Sequence, residues 1–351
     1  MQYRMNRIKS VLFTIVLTVM LPSCYAHDTA CNENDLVCND LLWLAYLTFK
    51  TPGRFIALGA GGAMYYSNSG LSGSWVDTSP GTTDQMNAVA FGNNRVVAVG
   101  DNNQIWSSPE GEPGTWTQHT NSIAGNIEDI VYAQKRFVLV GSGALVYYAE
   151  EDNLDNWINV TFTGGVNFAG IEYARGRFVA VANTCNTWYS DSADMGTWQD
   201  SSAGCGSNYF AVASDDSQFF AAGTGGYVGA SADATAGSWS AVGPGSSNIF
   251  GAAYGNGTYI ITGLSGTIRG AAALNSAAWT TRFTSGAGTL QAATYGDGLF
   301  VVVGHSGAPR VIISSDGVNW SDLSAEIPTA NLYGVGFGYL SRKGPLYEPL
   351  Y

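Results

Sequence analysis

The chain has 351 residues, of which 12% are charged and 13% aromatic, and it contains 45 glycines. Many Gly, Ser, Thr and Tyr residues with few Lys or Glu predict short strands joined by tight turns rather than helices. The net charge is −12 and no Lys/Arg cluster lies beyond the N-terminus, which argues against nucleic acid as a partner.

A targeting segment opens the chain. Arg4, Arg7 and Lys9 form a basic region, and the apolar run Val11 to Leu21 follows it. This run has the length of the apolar part of a signal peptide and is too short to cross a membrane. Removing residues 1–23 leaves 12 basic and 27 acidic residues, so the exported chain is predicted to carry a net charge of −15.

The apolar run ends in Leu21-Pro22-Ser23-Cys24, which resembles a bacterial lipobox. The resemblance implies that Cys24 is lipidated, becomes the mature N-terminus and anchors the protein to the cell envelope, at the outer membrane. Pro22 departs from the strict pattern, but the looser lipoboxes of spirochaete lipoproteins tolerate such changes. The alternative is ordinary signal-peptidase cleavage after Ala26.

Lipidation of Cys24 leaves four of the five cysteines. In an oxidising compartment two disulfides would use them all, Cys31 with Cys38 and Cys185 with Cys205. Neither pair has Cys-x-x-Cys spacing and the three histidines are scattered, so we expect no metal and no cofactor.

Residues 24–53 are predicted to form a lipidated tether with one short apolar stretch, Leu41 to Leu47. This stretch is either a short helix packed under the following domain or a segment that dips into the membrane surface. We favour packing, because a lipidated protein needs no second anchor.

The rest of the chain repeats with a period of about 41 residues. Apolar runs that end in a small residue recur at this spacing: RFIALG at 54, RVVAVG at 95, RFVLVG at 136, RFVAVA at 177, QFFAAG at 218, TYIITG at 258 and LFVVVG at 299. Tryptophans keep the same spacing: Trp75, Trp116, Trp157, Trp198, Trp239, Trp279 and Trp320.

Each period predicts four strands, A to D. In the fourth copy, strand A covers Phe168 to Tyr173, strand B covers Phe178 to Ala182, strand C covers Thr187 to Ser190, and Trp198 opens strand D. Four short antiparallel strands per period of this length are the signature of a β-propeller blade.

The repeat count predicts a closed ring. The first apolar run, at Arg54, has no A strand before it, and the last A-type segment, Tyr333 to Gly338, has no B strand after it. If the C-terminal strand completes the first blade, residues 54–338 form an all-β, seven-bladed propeller of four-stranded antiparallel blades without an exposed edge. Residues 339–351 form a tail without a readable role.

Two C–D segments, Ser315 to Trp320 and Ser192 to Trp198, look like Asp-box turns. Such turns occur in sialidase-like propellers and in photosystem II assembly-factor propellers. The whole chain, with lipobox and Asp-box-like repeats, resembles propeller lipoproteins of spirochaetes. The resemblance implies architecture rather than activity, because propellers host many functions.

Two catalytic interpretations are weak. LFVVVGHSGA, from Leu299 to Ala308, is one glycine short of a nucleophile elbow, but its Ser306 falls in a repeated B–C loop and a strand is predicted to follow it. The arginines of the apolar runs (Arg54, Arg95, Arg136 and Arg177) share one repeat position, so they would form an arc rather than grip a substrate carboxylate as in a sialidase. We expect them to be solvated or to bond a carbonyl of the neighbouring blade.

In a four-stranded blade the B–C and D–A loops emerge on one face, which we call the B–C face. Variable loops on a rigid disc are where binding usually resides. The candidate contact residues on this face are Asp84, Asp101, Glu128, Asp129, His305 and Ser306. The acidic run Glu150-Glu151-Asp152 is predicted to be a solvated edge rather than a calcium site.

The sequence therefore predicts a lipid-anchored, monomeric, non-enzymatic module that binds a protein or a glycan through the B–C face. One alternative is an enzyme acting on a glycoconjugate, with carboxylates such as Asp84 or Glu128 near the channel mouth. The other is a periplasmic assembly factor for an envelope complex, by analogy with the photosystem-type propellers.

Overall fold

The computed structural model describes residues 53–161, 165–194, 196–202, 207–305, 309–327 and 330–340. In these ranges the repeated apolar runs and their flanking segments form seven four-stranded antiparallel sheets. The predicted fold class, a seven-bladed all-β propeller, is confirmed.

The strands take the same four positions in every blade. The innermost A strands are β4 (Met86–Gly92), β8 (Ile127–Ala133), β12 (Phe168–Ala174), β16 (Tyr209–Ser214), β20 (Ile249–Gly255), β24 (Thr289–Gly296) and β28 (Leu332–Tyr339). The B strands are β1 (Gly53–Gly59), β5 (Arg95–Gly100), β9 (Arg136–Gly141), β13 (Arg177–Ala182), β17 (Phe219–Gly223), β21 (Thr258–Gly263) and β25 (Leu299–His305).

The C strands are β2 (Met64–Ser67), β6 (Ile105–Ser108), β10 (Leu145–Glu150), β14 (Thr187–Ser190), β18 (Val228–Ser231), β22 (Thr267–Ala271) and β26 (Pro309–Ser314). The outer D strands are β3 (Val76–Asp77), β7 (Thr117–Gln118), β11 (Ile158–Asn159), β15 (Gln199–Asp200), β19 (Ser240–Ala241), β23 (Thr280–Thr284) and β27 (Ser321–Asp322). Short 3₁₀ turns lie at Ala60–Gly62, Asn183–Cys185, Thr224–Gly226 and Ser324–Glu326.

The ring closes through the C-terminal strand, as predicted. Strand β28 pairs antiparallel with β1, with Phe55 opposite Phe337, in the sheet order β28-β1-β2-β3. We number this blade I and the others II to VII in chain order. Each A strand contacts the A strand of the next blade, and β28 contacts both β24 and β4. The C-terminal strand therefore supplies the innermost strand of the first blade.

The core lies between blades rather than within them. Along β9, Val138 and Val140 pack in one cluster with blade IV, while Phe137 and Leu139 pack in another with blade II. Successive side chains of a strand point to opposite faces. A B strand with a blade on each side is therefore apolar at every position, which explains the unbroken apolar runs in the sequence.

The A–B turns have the backbone that two-residue hairpins need. In blade VI, Asn256 has φ 46° and Gly257 φ 70°, and in blade VII, Asp297 has φ 46° and Gly298 φ 80°. Positive φ at both central residues suits the twist of the flanking strands, and Asn, Asp and Gly tolerate it best. The D strands differ from expectation, because the one in blade IV starts at Gln199, after Trp198, and is two residues long.

Candidate binding site at the channel mouth

A β-bulge near the start of each A strand re-aims one side chain. In β4 the pairing with β5 jumps from Met86 to Ala88, so Asn87 is the extra residue. The same shift recurs in the other six A strands. A bulge bends its strand and redirects the extra side chain. We call these extra residues the mouth ring: Asn87, Glu128, Ala169, Phe210, Phe250, Gln291 and Tyr333.

The mouth ring surrounds a cavity of about 310 Å³ at the B–C face end of the central channel, and all seven members line it. The residue before each ring member is a buried apolar side chain in every blade, from Met86 to Leu332, whereas the ring members are half-buried and chemically different. The preceding residue therefore packs in the core of every blade, whereas the ring residue differs from blade to blade.

One side of the mouth is aromatic. The rings of Phe210 and Phe250 stack with centroids 5.0 Å apart at an angle of 28°. Tyr333 lies 5.2 Å, centroid to centroid, from His305, and Gln291 Nε2 lies 3.1 Å from His305 Nε2. Burial lowers the pKa of His305, which favours the neutral imidazole.

The opposite side is acidic. Glu128 Oε1 accepts a hydrogen bond from Ser142 Oγ at 3.1 Å, and burial together with the charge of Asp101 raises the pKa of Glu128. Asp129 accepts the backbone N–H groups of Ile130 and Ile171, each at 2.8 Å, so it joins blades III and IV. Burial in the channel wall raises the pKa of Asp129 to about 7, although those two hydrogen bonds lower it.

A further acid lies deeper in the channel. Glu172 stands on β12 at a position that Ala, Val, Thr or Gly occupies in the other blades. It lines the cavity at the opposite end of the channel and accepts the backbone N–H of Tyr173 at 2.9 Å. Burial, with the charges of Asp129 and Asp216, raises the pKa of Glu172 to about 8. Glu172 was not among the residues predicted from the sequence, although it differs from the residues at the same repeat position in the other blades.

The loops of the B–C face contain acidic side chains and no basic ones. Its B–C and D–A loops contain no Lys or Arg in the sequence, whereas Arg54, Arg136 and Arg177 lie at the opposite ends of their strands. Of the predicted contact residues, Glu128 and Asp129 line the mouth and His305 packs beside it. Asp101 bonds Asn87 of the mouth ring, and Asp84 accepts from Asn102 Nδ2 at 2.8 Å in the loops around it.

Several predicted residues cannot be placed. Cys24, Cys31, Cys38, Cys205 and Ser306 lie outside the described residues, as do Leu41 to Leu47 and residues 341–351. For Cys185 only the backbone is described, in the 3₁₀ turn of the blade IV B–C loop. The lipidation and both disulfides therefore stay predictions.

Asparagines brace this face, and the sequence analysis missed them. In four neighbouring blades an Asn just before the A strand accepts, through Oδ1, a backbone N–H from the B–C loop of the preceding blade: Asn126 from Asn102, Asn167 from Gly143, Asn208 from Thr184, and Asn248 from Gly225. These asparagines recur at the repeat period, so comparing the copies residue by residue could have found them. They fix the loops that frame the mouth.

Three of the four repeated arginines bond a carbonyl of the neighbouring blade, which is one of the two roles expected for them. Arg54 donates to the carbonyl of Glu110, Arg136 to that of Ser192 at 2.9 Å, and Arg177 to that of Asp233 at 2.5 Å. In each case the guanidinium also lies over a tyrosine ring of its own blade: Tyr66 at 4.6 Å, Tyr148 at 4.5 Å and Tyr189 at 4.3 Å. These arginines are thus engaged within the disc and do not converge on a ligand.

One serine, Ser107, has a histidine and an aspartate beside it, as a catalytic serine would. Ser107 Oγ lies 2.7 Å from His119 Nε2, and His119 Nδ1 lies 3.0 Å from Asp155 Oδ1. Ser107, however, lies within β6, between its partners Val97 and Thr117 on the two neighbouring strands, and not on a turn that would expose it as a nucleophile. The three residues tie blade II to blade III. After His305, the described chain resumes at Pro309 in strand β26.

Neither a metal site nor a membrane-spanning helix is found in the part of the chain that the structure describes. No group of three or more His, Cys, Asp or Glu side chains there has an arrangement that could hold a metal ion. No helix in the same ranges is long and apolar enough to cross a lipid bilayer.

Comparisons with known proteins support the fold. No family model and no curated protein sequence matches the chain. Among solved structures, the WD40 propeller domain of Doa1 has a TM-score of 0.62 at 13% identity, covering 75% of this chain and 90% of that one.

Two structures of YCF48 are also similar. YCF48 bound to D1 peptide has a TM-score of 0.58 at 13% identity, covering 72% of this chain and 86% of that one. YCF48 from Cyanidioschyzon merolae has a TM-score of 0.58 at 12% identity, covering 75% and 95%. At these identities the likeness shows the propeller fold alone.

Proposed function

We propose that this protein is a non-enzymatic interaction module, anchored to the cell envelope by a lipid on Cys24, that binds a partner protein through the B–C face. One observation carries the proposal: the mouth ring diverges in chemistry between blades, whereas the residue before each ring member is a large buried side chain in all seven. A rigid scaffold whose side chains differ around a cavity is the arrangement of a binding site.

The similarity to a propeller that was solved with a bound peptide supports a protein partner over a glycan. The carboxylates of the channel do not favour the glycoconjugate-active enzyme. Asp129 already accepts two backbone N–H groups, and Glu172 lines the cavity at the far end. A glycosidase needs two free carboxyl groups that flank one bond.

Site-specific photo-crosslinking in the cells that make the protein tests the binding face. A photoreactive residue replaces Thr83, exposed in a D–A loop, or Asn153, exposed in a C–D turn on the other face. We expect a discrete crosslinked partner from position 83 and none from position 153. Equal crosslinking from both faces would overturn the proposal.

The lipid anchor has its own test. Cells fed an alkyne-tagged fatty acid should label the wild-type protein, and the Cys24→Ser variant should stay unlabelled. Labelling that survives the substitution, or a mature N-terminus at His27, would favour cleavage after Ala26. Protease treatment of intact cells then separates a surface protein from a periplasmic assembly factor.

A further inference from the structure

We propose that the mouth ring binds the cationic side chain of a Lys or Arg from an extended segment of the partner. This inference rests on the proposed function and names the chemistry of its ligand. It starts from two features that lie on one cavity, the stacked pair Phe210 and Phe250 and the carboxylate of Glu128.

The aromatic pair offers a platform for a cation. Phe210 and Phe250 are both half-buried, whereas the ring members' preceding neighbours, Tyr209 and Ile249, are buried. The bulges therefore hold two apolar rings at the mouth instead of in the core. The face of an aromatic ring attracts an ammonium or guanidinium group, and more strongly when water is excluded.

The carboxylate supplies the counter-charge. Only Oε1 of Glu128 has a hydrogen-bond partner among the described residues, which leaves Oε2 for a ligand. Asp101 adds negative charge nearby, and the loops of this face contain no Lys or Arg to neutralise it. A neutral sugar would gain nothing from this field, and an acidic sugar would be repelled, so the charge favours a cationic peptide.

The cavity fits a side chain rather than a folded element. Its volume of about 310 Å³ is at the small end of ligand pockets. An extended segment can lie across the mouth and insert one long side chain, while its backbone meets the polar members Asn87, Gln291 and Tyr333. This mode would make Lys or Arg the anchor of the segment.

Fluorescence anisotropy with a fluorescein-labelled tetra-arginine peptide tests the site, with tetra-citrulline as the uncharged match. On the full-length protein we expect tetra-arginine to bind about tenfold more tightly than tetra-citrulline. Glu128→Gln and Phe250→Leu should each weaken tetra-arginine binding about tenfold, since one removes the charge and the other removes the ring while keeping an apolar side chain. The control Glu110→Gln makes the same charge change in an exposed C–D turn and should leave binding within about twofold.

Three results would overturn the inference: equal binding of the two peptides, no effect of Glu128→Gln and Phe250→Leu, or an equal loss in Glu110→Gln, which would indicate non-specific charge attraction. Glycans retained by the wild type and lost in Phe250→Leu, without peptide binding, would replace it with a sugar site. If the Glu128→Gln variant is still crosslinked from position 83 while tetra-arginine does not bind the wild-type protein, the B–C face remains the proposed binding face. The proposal of a cationic ligand is then wrong.

Discussion

At the residue scale, the role of a side chain depends on its partner in the adjacent strand. The arginine that starts strand B clamps the next blade only where a tyrosine stands in strand C to carry it, as in the pair Arg136 and Tyr148. In blade II the tyrosine is replaced by Ser107, and Arg95 makes no side-chain hydrogen bond or ion pair within the described chain. The same residue at the same repeat position therefore has two different energetic roles.

This difference predicts the effect of Arg-to-Lys changes. Arg136→Lys should lower the free energy of unfolding by about 1.5 kcal/mol, because an ammonium cannot stack on Tyr148 while bonding both Ser192 and Asp194. The matched Arg95→Lys should change it by less than about 0.5 kcal/mol. Urea denaturation followed by tryptophan fluorescence measures both, and equal effects would refute the clamp.

The channel acids predict a pH dependence. Burial raises the pKa of Glu172 to about 8, far above that of an unfolded glutamate, so the folded state binds its proton more tightly. The contribution of Glu172 to stability is then fully present below about pH 4.5 and is lost as pH rises through 8. Glu172→Gln, which keeps the size and removes the charge, should raise Tm at pH 8.5 by about 5 °C and change it little at pH 5. A thermal melt series from pH 5 to 9 checks this, and parallel curves for the two proteins would contradict it.

At the element scale, a buried serine at the end of strand C builds the C–D turn. Ser190 Oγ accepts the backbone N–H of Ala193 at 2.9 Å and of Ser192 at 3.3 Å. The same capping recurs in other blades, at Ser67, Ser108, Ser231 and Ser314. The aspartate of the Asp-box-like turns is less uniform. Asp316 accepts the backbone N–H of Val318 and Asn319, whereas Asp194 pairs with Arg136.

Removing one serine cap should therefore destabilise its blade. Ser190→Ala leaves two turn N–H groups without their acceptor and should cost about 1–2 kcal/mol. Ser247→Ala, at an exposed loop serine without a side-chain hydrogen bond in the described ranges, should cost less than about 0.5 kcal/mol. Chemical denaturation ranks the two variants, and a loss of similar size in both would mean that the cap is not the cause.

At the scale of the whole molecule, stability depends on closing the ring. Strand β28 pairs with β1 along its full length, from Gly53 to Gly59, and its Phe337 packs against Phe55 with ring centroids 4.7 Å apart. Without β28, blade I would lose its inner strand and expose the edge of β1. The strands β24 and β4 of the two neighbouring blades would lose their contacts with β28. An unpaired apolar edge is a template for association between chains.

Truncation tests this closure. A chain that ends at residue 331 should form oligomers or aggregates, whereas a chain that ends at residue 340 keeps β28 and should remain monomeric with a Tm near that of the intact protein. Size-exclusion chromatography with light scattering distinguishes the two. A monomeric, equally stable 331-residue chain would show that the ring does not need its C-terminal strand.

The repeat made the architecture predictable. Seven apolar runs at one spacing, with an orphan strand at each end, determined the number of blades and the closure between Arg54 and Gly338, because an apolar run can stay buried only if a blade covers each face. The same logic argued against a nucleophile elbow at Leu299–Ala308, and it gave a carbonyl of the neighbouring blade as one of two expected partners for the arginines, with solvent as the other. It also placed Glu128 and Asp129 on the face where the structure has its mouth.

Only the tertiary structure decided which residues meet across blades. Phe210 and Phe250 are 40 residues apart, and nothing local shows that bulges turn both toward one channel. Glu172 looked like one polar residue in a strand, and its raised pKa arises from the surrounding A strands of the ring. A strand pattern specifies which face a side chain takes, but the chemistry of the mouth is the sum of seven distant contributions, which exists only once the ring has closed.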